Sequence, residues 1–422
     1  MIKFLIKGVF RDRSRSLLPV IVVSFGVFVL ILLLSLMDGM MSNMVSTTAN
    51  VSTGHLKVMT KAYFQEKDQN PLDLALLDVS SLTADLNHRF PDIEWTGRIT
   101  FGVLLDVPGE NGESLGQAPV TGMAYDLLGE HSLEAQRLGL ERGIIEGKGI
   151  QHSGQILLSR DLAHQYDLHE GSIVTLFGSD MNGSMTFSNA EVGGIVSMGV
   201  SALDKGAVLM DLEDARRLLD MEDAVTTLLG FSRDGNYDRA FCDQACVDYN
   251  ASADPEDPYA PVMISLREQD GMDEMLAYVD SMSGMMFALL LFALSLVLWN
   301  TGILGGIRRY GEFGVRMAIG EGKWHIFKTL MIESTVVGIV GSVIGTALGL
   351  LLSWYLQVHG IDYSAMLENV SMNIDPIVRT ELSPKLLYIG FIPGVLSVMI
   401  GTALASRGIF KRKTADLYKE LD

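Results

Sequence analysis

The sequence predicts an α-helical membrane domain of four transmembrane (TM) helices, one followed by three, with a large α+β extracytoplasmic domain inserted between TM1 and TM2. Two observations carry this prediction: four apolar runs of membrane length, and a long acidic region between the first run and the second. The chain has 422 residues, is 48% hydrophobic and still has a formal net charge of -19. One soluble domain seldom combines these properties, whereas apolar helices joined to an acidic soluble domain do so naturally.

The four apolar runs are the candidate transmembrane helices, at residues 17–37 (TM1), 285–304 (TM2), 330–356 (TM3) and 386–404 (TM4). The first run is uncharged and, as a helix, would be about 31 Å long, which matches a hydrocarbon core of about 30 Å. A cleaved signal peptide is the alternative for this run, because it follows basic residues. Its length exceeds that of a signal-peptide core and no small-residue cleavage motif follows closely, so we expect a retained helix.

Basic residues set the expected orientation. Three short segments, 1–16, 305–329 and 405–422, each carry five lysines or arginines. Residues 38–284 instead hold most of the 51 acidic residues. Because basic loops stay on the cytoplasmic side, we expect both termini and the 305–329 loop to be cytoplasmic. The 38–284 region and the short 357–385 loop are then extracytoplasmic, and 405–422 is a cytoplasmic tail.

The 1–16 segment has the pattern of an interfacial amphipathic helix. Its apolar residues, such as Phe4 and Phe10, and its basic residues, such as Lys3 and Lys7, fall on different arcs. Such a helix can lie on anionic lipid headgroups. A simple basic entrance to TM1 is the alternative, and the sequence leaves both open.

Methionines recur at helical spacing next to the inserted domain. One stripe continues TM1 and the other leads into TM2; the members are Met37, Met40, Met41 and Met44, and Met272, Met275, Met282, Met285 and Met286. Both stripes predict stalk helices just outside the membrane. Because Met is unbranched and polarizable, they would suit a groove for flexible alkyl chains of a lipid or substrate. They would equally pack the stalks against each other or against a second subunit, and both interpretations stay open.

The region between the stalks has the alternation of a mixed α/β soluble domain. Strands are predicted at 55–59, 103–107, 190–198 and 205–210, with a strand–helix–strand unit at 154–178 and a helix at 211–221. The acidic, proline-rich residues 251–261 are predicted to form a loop. Cys242 and Cys246, four residues apart, could be free thiols on one helical face or a strained disulfide, and the sequence does not decide between them.

No motif for covalent chemistry or metal binding is found in the sequence. The string Gly143–Gly149 has the wrong spacing for a phosphate-binding loop, and no HExxH or GxSxG pattern occurs. We therefore expect no catalytic residues, no metal and no cofactor on this chain, and no nucleic acid as a partner.

The 305–329 loop contains the most informative segment. Its residues Glu312, Phe313, Gly314, Arg316, Ala318, Gly320 and Lys323 form an amphipathic stretch between two apolar runs. Apolar side chains interleaved with charges can dock into a groove of a soluble partner. The following run carries Gly341, Gly345 and Gly349 on one helical face, a pattern for close helix packing, which also serves fold stability alone. Glu333, near the start of the same run, needs a partner for its charge.

This segment resembles the loop signature E-[IVF]-G-x-x-x-A-x-G of MacB/FtsX-type ABC transporter permeases. Asn300 in TM2, Glu333 and the three glycines fall where that family has the same residue types. The size of the inserted domain resembles that of the lipoprotein-releasing (LolC/LolE-type) permeases and of MacB more than that of FtsX. MacB carries its ATPase on the same chain, and no nucleotide-binding motif occurs here. The string GHLKV at 54–58 also looks Lol-like. The 178–187 turn departs from their pattern, because it is short and lacks the expected basic residue and prolines.

The resemblance implies a non-catalytic membrane subunit of a mechanotransmission transporter in the bacterial inner membrane. It implies a separate ABC ATPase that binds ATP and Mg, a second permease subunit (in a homo- or heterodimer), and a lipoprotein or other lipid-anchored substrate, with a periplasmic carrier as a further partner. In this interpretation Glu312–Gly320 and Lys323 couple to the ATPase. Two alternatives stay open: a MacB-like exporter of hydrophobic small molecules or peptides, and an FtsX-like transmembrane signalling scaffold.

Overall fold

The computed structural model describes residues 13–109, 113–197, 204–233, 235, 237–254, 256–269, 271–307, 310–362 and 377–411. The chain divides into two units. The first comprises Met1–Asn43, Ala277–Tyr363 and Ile377–Asp422, and the second comprises Met44–Leu276 and Ser364–Pro376. The predicted interfacial helix at 1–16 falls mostly outside the described residues.

The described helices, numbered in chain order, are α1 (Arg13–Thr48), α2 (Lys61–Glu66), α3 (Val79–Arg89), α4 (Glu134–Arg137), α5 (Leu140–Gly143), α6 (Arg160–Tyr166), α7 (Leu212–Leu219), α8 (Arg239–Asn250), α9 (Met272–Ile307), α10 (Tyr310–Ala318), α11 (Lys323–His359), α12 (Leu386–Ile389) and α13 (Val398–Lys411). The strands are β1 (Leu56–Thr60), β2 (Ile93–Pro108), β3 (Ser114–Tyr125), β4 (Ile144–Gly147), β5 (Gln155–Ser159), β6 (Ile173–Ser179), β7 (Met185–Val196), β8 (Ala207–Asp211), β9 (Thr227–Ser232), β10 (Pro261–Ser265), β11 (Ile361–Asp362) and β12 (Ile377–Val378).

Four helical segments of the described chain are long and apolar enough to cross a membrane: Leu17–Thr53, Met272–Asn300, Lys323–His359 and Leu386–Ser406. They fit the four predicted runs, and the large α+β domain lies between the first and the second. The fourth segment is not a uniform helix, because a π-helical turn at Ile392–Ser397 separates α12 from α13. Pro393 lies at the start of this turn and has no backbone N–H to donate, so regular α-helical hydrogen bonding is interrupted there.

The first unit is built around contacts between α1, α11 and the fourth helical segment. Val23, Val27 and Ile31 of α1 are completely buried, and they form one apolar cluster with Leu386 and Val398. These α1 residues are four positions apart, so they lie on one side of the helix.

The second unit contains a ten-stranded sheet in the order β10-β1-β9-β2-β3-β8-β5-β7-β4, with β6 paired to both β2 and β7. These pairings close a ring of six strands: β2, β3, β8, β5, β7, β6 and back to β2. The β3–β8 and β5–β7 pairs are parallel, and the other pairs are antiparallel. The buried sides of these strands supply one core that includes Leu105, Ile156, Val174, Leu176 and Val208.

The long strand β2 joins this ring to the rest of the sheet. Its first part, Ile93 to Arg98, pairs with β9, which pairs with β1, which pairs with β10. From Ile99 onward β2 pairs with β3. One strand therefore belongs to both halves of the sheet, and Arg98 lies where the pairing changes.

Most predicted elements of this unit correspond to observed ones. The strands expected at 55–59, 103–107, 190–198 and 205–210 correspond to β1, part of β2, part of β7 and β8, and 154–178 forms β5, α6 and β6. The expected helix at 211–221 is α7, and the Asp211 side chain caps it by accepting from the Glu213 N–H. Strands β3, β4, β9 and β10 were not predicted.

Both cysteines lie on α8 and are free and buried. The strained disulfide that the sequence left open is therefore not formed. Burial raises the pKa of both thiols to about 12, and the negative charge of Asp243 adds to this effect. The thiols pack as small apolar groups in the main core.

Cys242 and Cys246 are expected to resist alkylation in the folded chain. With a pKa of about 12, roughly one thiol in ten thousand is ionised at about pH 8, and this fraction rises about tenfold per pH unit. Time-resolved maleimide labelling followed by mass spectrometry measures the rate. Val247→Cys, at a position 64% exposed on the same helix, is the control and should label fast. Labelling of the native cysteines at the control's rate would contradict the assignment.

Candidate functional site

The amphipathic segment of the 305–329 loop forms helix α10, which packs against the start of α11. Phe313 is 1% exposed and contacts buried Ile326 and Leu330, with Met317 at the edge of the cluster. From the sequence we expected Phe313 on a docking surface, but the structure places it in the α10–α11 core. Arg308 and Arg309 lie outside the described residues.

A glycine and an ion pair fix the turn after α10. Gly320 has a φ of 98°, a left-handed conformation that favours glycine. Its N–H donates to the Met317 carbonyl at 3.0 Å, and the Glu321 N–H donates to the Arg316 carbonyl at 3.0 Å, which is the Schellman pattern of a helix end. The Arg316 guanidinium then donates twice to the Glu321 carboxylate, at 2.6 and 2.7 Å. Arg316 therefore stabilises the turn itself.

The exposed apolar side chains of this region form what we call the coupling patch: Val315, Ile319 and Trp324. They are 45%, 82% and 60% exposed. The Trp324 ring stacks on Phe327 at 5.2 Å, and Lys328 lies 5.7 Å from the Trp324 ring. Among the other predicted coupling residues, Ala318 is exposed, Glu312 and Lys323 are half-buried, and Gly314 is buried. The end of α10, the turn after it and the start of α11 thus present a small apolar surface on a well-fixed backbone.

The three glycines of α11 lie directly against α1. A Cβ atom at Gly341, Gly345 or Gly349 would meet the Cβ of Val23, Val27 or Ile31 at 2.7, 2.8 and 2.8 Å, respectively. Real side chains essentially never approach so closely, so only glycine allows this helix contact. Glu333 is half-buried and Asn300 is exposed in the described chain. Neither belongs to this contact.

A polar cluster ties α1 to the segment around 380. The Ser35 and Ser353 hydroxyls share a hydrogen bond of 2.6 Å, and the Thr380 hydroxyl donates to the Ser353 carbonyl at 2.5 Å. Asp38 accepts from Ser383 and from Lys385, both at 2.8 Å. Helix α1 is therefore held by glycine contacts along its length and by hydrogen bonds beyond them.

Helix α9 makes far fewer contacts than the other membrane-length helices. Only 6% of its most apolar window is buried, against 33–44% for the others. Leu298 is its one fully buried side chain among the described residues, and Leu294 and Leu298 lie near Gly26 of α1. Most of the described apolar surface of α9 is therefore available to lipid, to a substrate or to another subunit.

The methionine stripes divide into two groups. Met272 is 6% exposed and packs with Ala49 and Leu266 in the second unit, with Met275 at the edge of this cluster. The structure thus favours packing for these two. The exposed members are Met40, Met44, Met282, Met285 and Met286, at 39–52%, and Met37 and Met41 are half-buried. For the exposed methionines, the groove interpretation remains a prediction.

No sequence pattern predicted the ion pair between Arg98 and Glu134, which is the most strongly buried one among the described residues of the second unit. Arg98 is 5% exposed and Glu134 is completely buried, and the Arg98 Nε donates to the Glu134 Oε2 at 2.7 Å. The Nη1 and Nη2 atoms donate to the backbone carbonyls of Val51 and Asn50, both at 2.7 Å. An arginine within an alternating strand was the available signal, but its partners are distant in sequence and could not be identified from it.

Comparison with known proteins gives two family matches that together span most of the chain. Residues 16–269 match the family described as MacB-like periplasmic core domain, and residues 284–414 match the family described as FtsX-like permease C-terminal. No curated protein matches significantly. Among solved structures, the periplasmic region of MacB from Actinobacillus actinomycetemcomitans is similar, with 11% identity, coverage of 55% of this chain and 95% of that chain, and a TM-score of 0.35. This likeness is too distant to add to the two family matches.

Gly345→Val is expected to lower the thermal unfolding temperature of the detergent-solubilised chain. The new side chain would collide with Val27, and overpacking of this kind costs about 1–3 kcal/mol. Val343→Leu is the control, because Val343 is on the same helix but 51% exposed. Equal unfolding temperatures for the two variants would show that α1 and α11 do not make this contact.

Proposed function

The chain belongs to the MacB/FtsX-type family of ABC transporter permeases, and from that premise we propose that it couples ATP hydrolysis by a separate ATPase to the extraction of lipoproteins from the outer leaflet of the bacterial inner membrane. The family is a membrane component of ABC transporters. In this proposal ATP and Mg bind the partner ATPase, and this chain performs no catalysis. Two copies, or one copy and a related permease, form the membrane dimer.

The coupling patch is the observation that carries this proposal. Trp and large aliphatic side chains act as anchors in protein interfaces when they enter a pocket of the partner. Here Ile319 and Trp324 are 82% and 60% exposed, while buried Phe313 and the Arg316–Glu321 ion pair fix the backbone beneath them. A push from a soluble ATPase on this patch would therefore be passed to α11 and not absorbed by a flexible loop.

The distribution of charged residues supports a cytoplasmic location for the coupling patch. The segments at 1–16, 305–329 and 405–422 are basic, whereas the inserted domain is strongly acidic. Under the positive-inside rule, both termini and the patch face the cytoplasm, where an ATPase has access to ATP. The MacB-like domain is then periplasmic.

The weak packing of α9 supports a substrate-entry path beside this helix. Helix α1 is held tightly by α11, whereas α9 leaves most of its apolar surface uncovered. Acyl chains that enter beside α9 would replace bilayer lipid without breaking interhelical contacts, so little packing energy opposes them. The exposed methionines Met40 and Met282 offer adaptable side chains at the outer end of this path. These features, with the Lol-like sequence segments, favour a lipid-anchored substrate over a small hydrophobic molecule.

Ile319→Asp is expected to reduce co-purification of the ATPase by about 30-fold, since loss of an interface anchor typically costs about 2 kcal/mol. The stability of the chain itself should not change, because Ile319 is 82% exposed. The measurement is quantitative pull-down of co-expressed ATPase. Ile145→Asp, at a 57% exposed position in the second unit, is the matched control. Equal ATPase recovery with both variants would exclude the coupling patch as the docking site.

A photo-crosslinking residue at Met282 or Met40 is expected to capture an acylated substrate lipoprotein in membranes. The same probe at Leu351, 63% exposed on α11, is the control for general lipid exposure and should capture far less. Immunoblotting of the crosslinked products identifies the partner. If only crosslinks between protein subunits form at both methionines, the stripes serve packing and the acyl-chain path is wrong.

A further inference from the structure

The end of α1 is held by the guanidinium of Arg98. After Thr48 the helix continues as a π-helical turn, Ala49–Thr53, and ends at Gly54. The final carbonyls of any helix lack partners within the helix and carry the negative end of its dipole. Two of them, on Asn50 and Val51, accept from Arg98. A third, on Thr53, accepts from the Gln269 amide at 3.0 Å.

The same guanidinium is anchored on its other side by a network of ion pairs. Arg98 pairs with Glu134 at 2.7 Å, and Glu134 also pairs with Arg137 at 3.3 Å. Arg137 extends the network to Glu94 at 3.0 Å. The Arg98 guanidinium also lies 4.9 Å from the Tyr125 ring, so an aromatic face covers it. We call the contacts of Arg98 with Glu134, Asn50 and Val51 the Arg98 clasp.

The position of Arg98 in the sheet connects the clasp to both halves of the sheet. Arg98 is the β2 residue at which pairing passes from β9 to β3. Its own carbonyl accepts from the Thr226 hydroxyl at 3.0 Å and from the Thr226 N–H at 3.1 Å, so the backbone there is fixed. A displacement of Asn50 and Val51 therefore acts on the one strand that both halves of the sheet share.

We propose that the Arg98 clasp is the joint through which movement of α1 reaches the soluble domain, with Arg98 as a positioning residue for transport. This inference rests on the proposed function. Charge-assisted hydrogen bonds are short and directional, and a buried ion pair is costly to leave half-broken. The sheet must therefore follow the helix end. A cavity of about 180 Å³ borders Val51, Arg98, Tyr125 and Gln269, which leaves room for the clasp to shift as a unit.

Lysine cannot replace arginine in this joint. The clasp uses three separate nitrogens of a planar group to reach a carboxylate and two carbonyls at once. An ammonium group is a compact point charge on a flexible stem and cannot span these three acceptors in the same geometry. R98K is therefore a test of geometry with charge retained.

The experiment uses the full chain with its ATPase in phospholipid vesicles that contain a lipoprotein. Three variants are compared with the unmodified chain: R98Q/E134Q, which leaves no unpaired buried charge, R98K, and R137Q. R137Q is the matched control, because Arg137 belongs to the same network but pairs with Glu134 and Glu94, neither of which lies in α1. The readouts are the ATPase rate, the ATP-dependent change in hydrogen exchange across residues 93–108, and lipoprotein release.

For R98Q/E134Q we expect ATPase binding and rate within about twofold of the unmodified chain, but a loss of about tenfold in release and in the ATP-dependent exchange change. R98K should also retain the ATPase rate and lose release and the exchange change, but to a lesser degree. R137Q should behave as the unmodified chain. If R98Q/E134Q does not fold, as judged by thermal unfolding, R98K decides the question. Full release and an unchanged exchange response in the folded Arg98 variants would overturn the inference.

The outcomes also separate this inference from the proposed function. If the unmodified chain binds no ATPase, or ATP changes exchange nowhere in it, the proposed function fails first. If ATP changes exchange in β2 but no lipoprotein is released, the substrate assignment fails. The role of the clasp is then tested by hydrogen exchange alone, by comparing the ATP-dependent change in R98Q/E134Q with that in R137Q.

Discussion

Close contact between α1 and α11 is the constraint on which the first unit depends. In a bilayer, apolar side chains gain nothing by leaving water, so helices associate through close packing and hydrogen bonds. Gly341, Gly345 and Gly349 remove the side chains that would keep the two helices apart. The approach also brings Ser35 and Ser353 within hydrogen-bonding distance. Packing and polar contacts therefore support each other along the same helix pair.

This constraint divides the membrane helices into a tightly packed set and a loosely packed one. Helices α1 and α11 and the fourth helical segment share the buried contacts, and α10 is attached to α11 through Phe313. Helix α9 joins this set through buried Leu298 and partly buried side chains near it, but only 6% of its most apolar window is buried. A force applied at the coupling patch would be carried by the packed set, whereas α9 can change its neighbours at small cost. Force transmission and substrate entry would thus use different helices.

Much of this architecture could be predicted from sequence, because the bilayer and the strand alternation impose strong patterns. The amphipathic segment of the loop forms α10, but periodicity alone could not show that Phe313 faces α11 while Ile319 faces solvent. The ion pairs of Arg316 and Arg98 could not be predicted for a related reason. Arg316 pairs across a turn that only the Gly320 conformation creates. Arg98 depends on partners 36 and 48 residues away, which only the tertiary fold brings together.

The closed ring of six strands leaves few open edges in the large sheet, which affects its tendency to pair with other molecules. Open sheet edges invite pairing with edges of other molecules, which leads to aggregation or strand exchange. Among the described strands of the large sheet, the order ends at β4 and β10. Strand β4 has four residues, and β10 begins with Pro261, which has no N–H to offer a neighbour. The two ends of this sheet therefore offer little open edge with which the sheet of another molecule could pair.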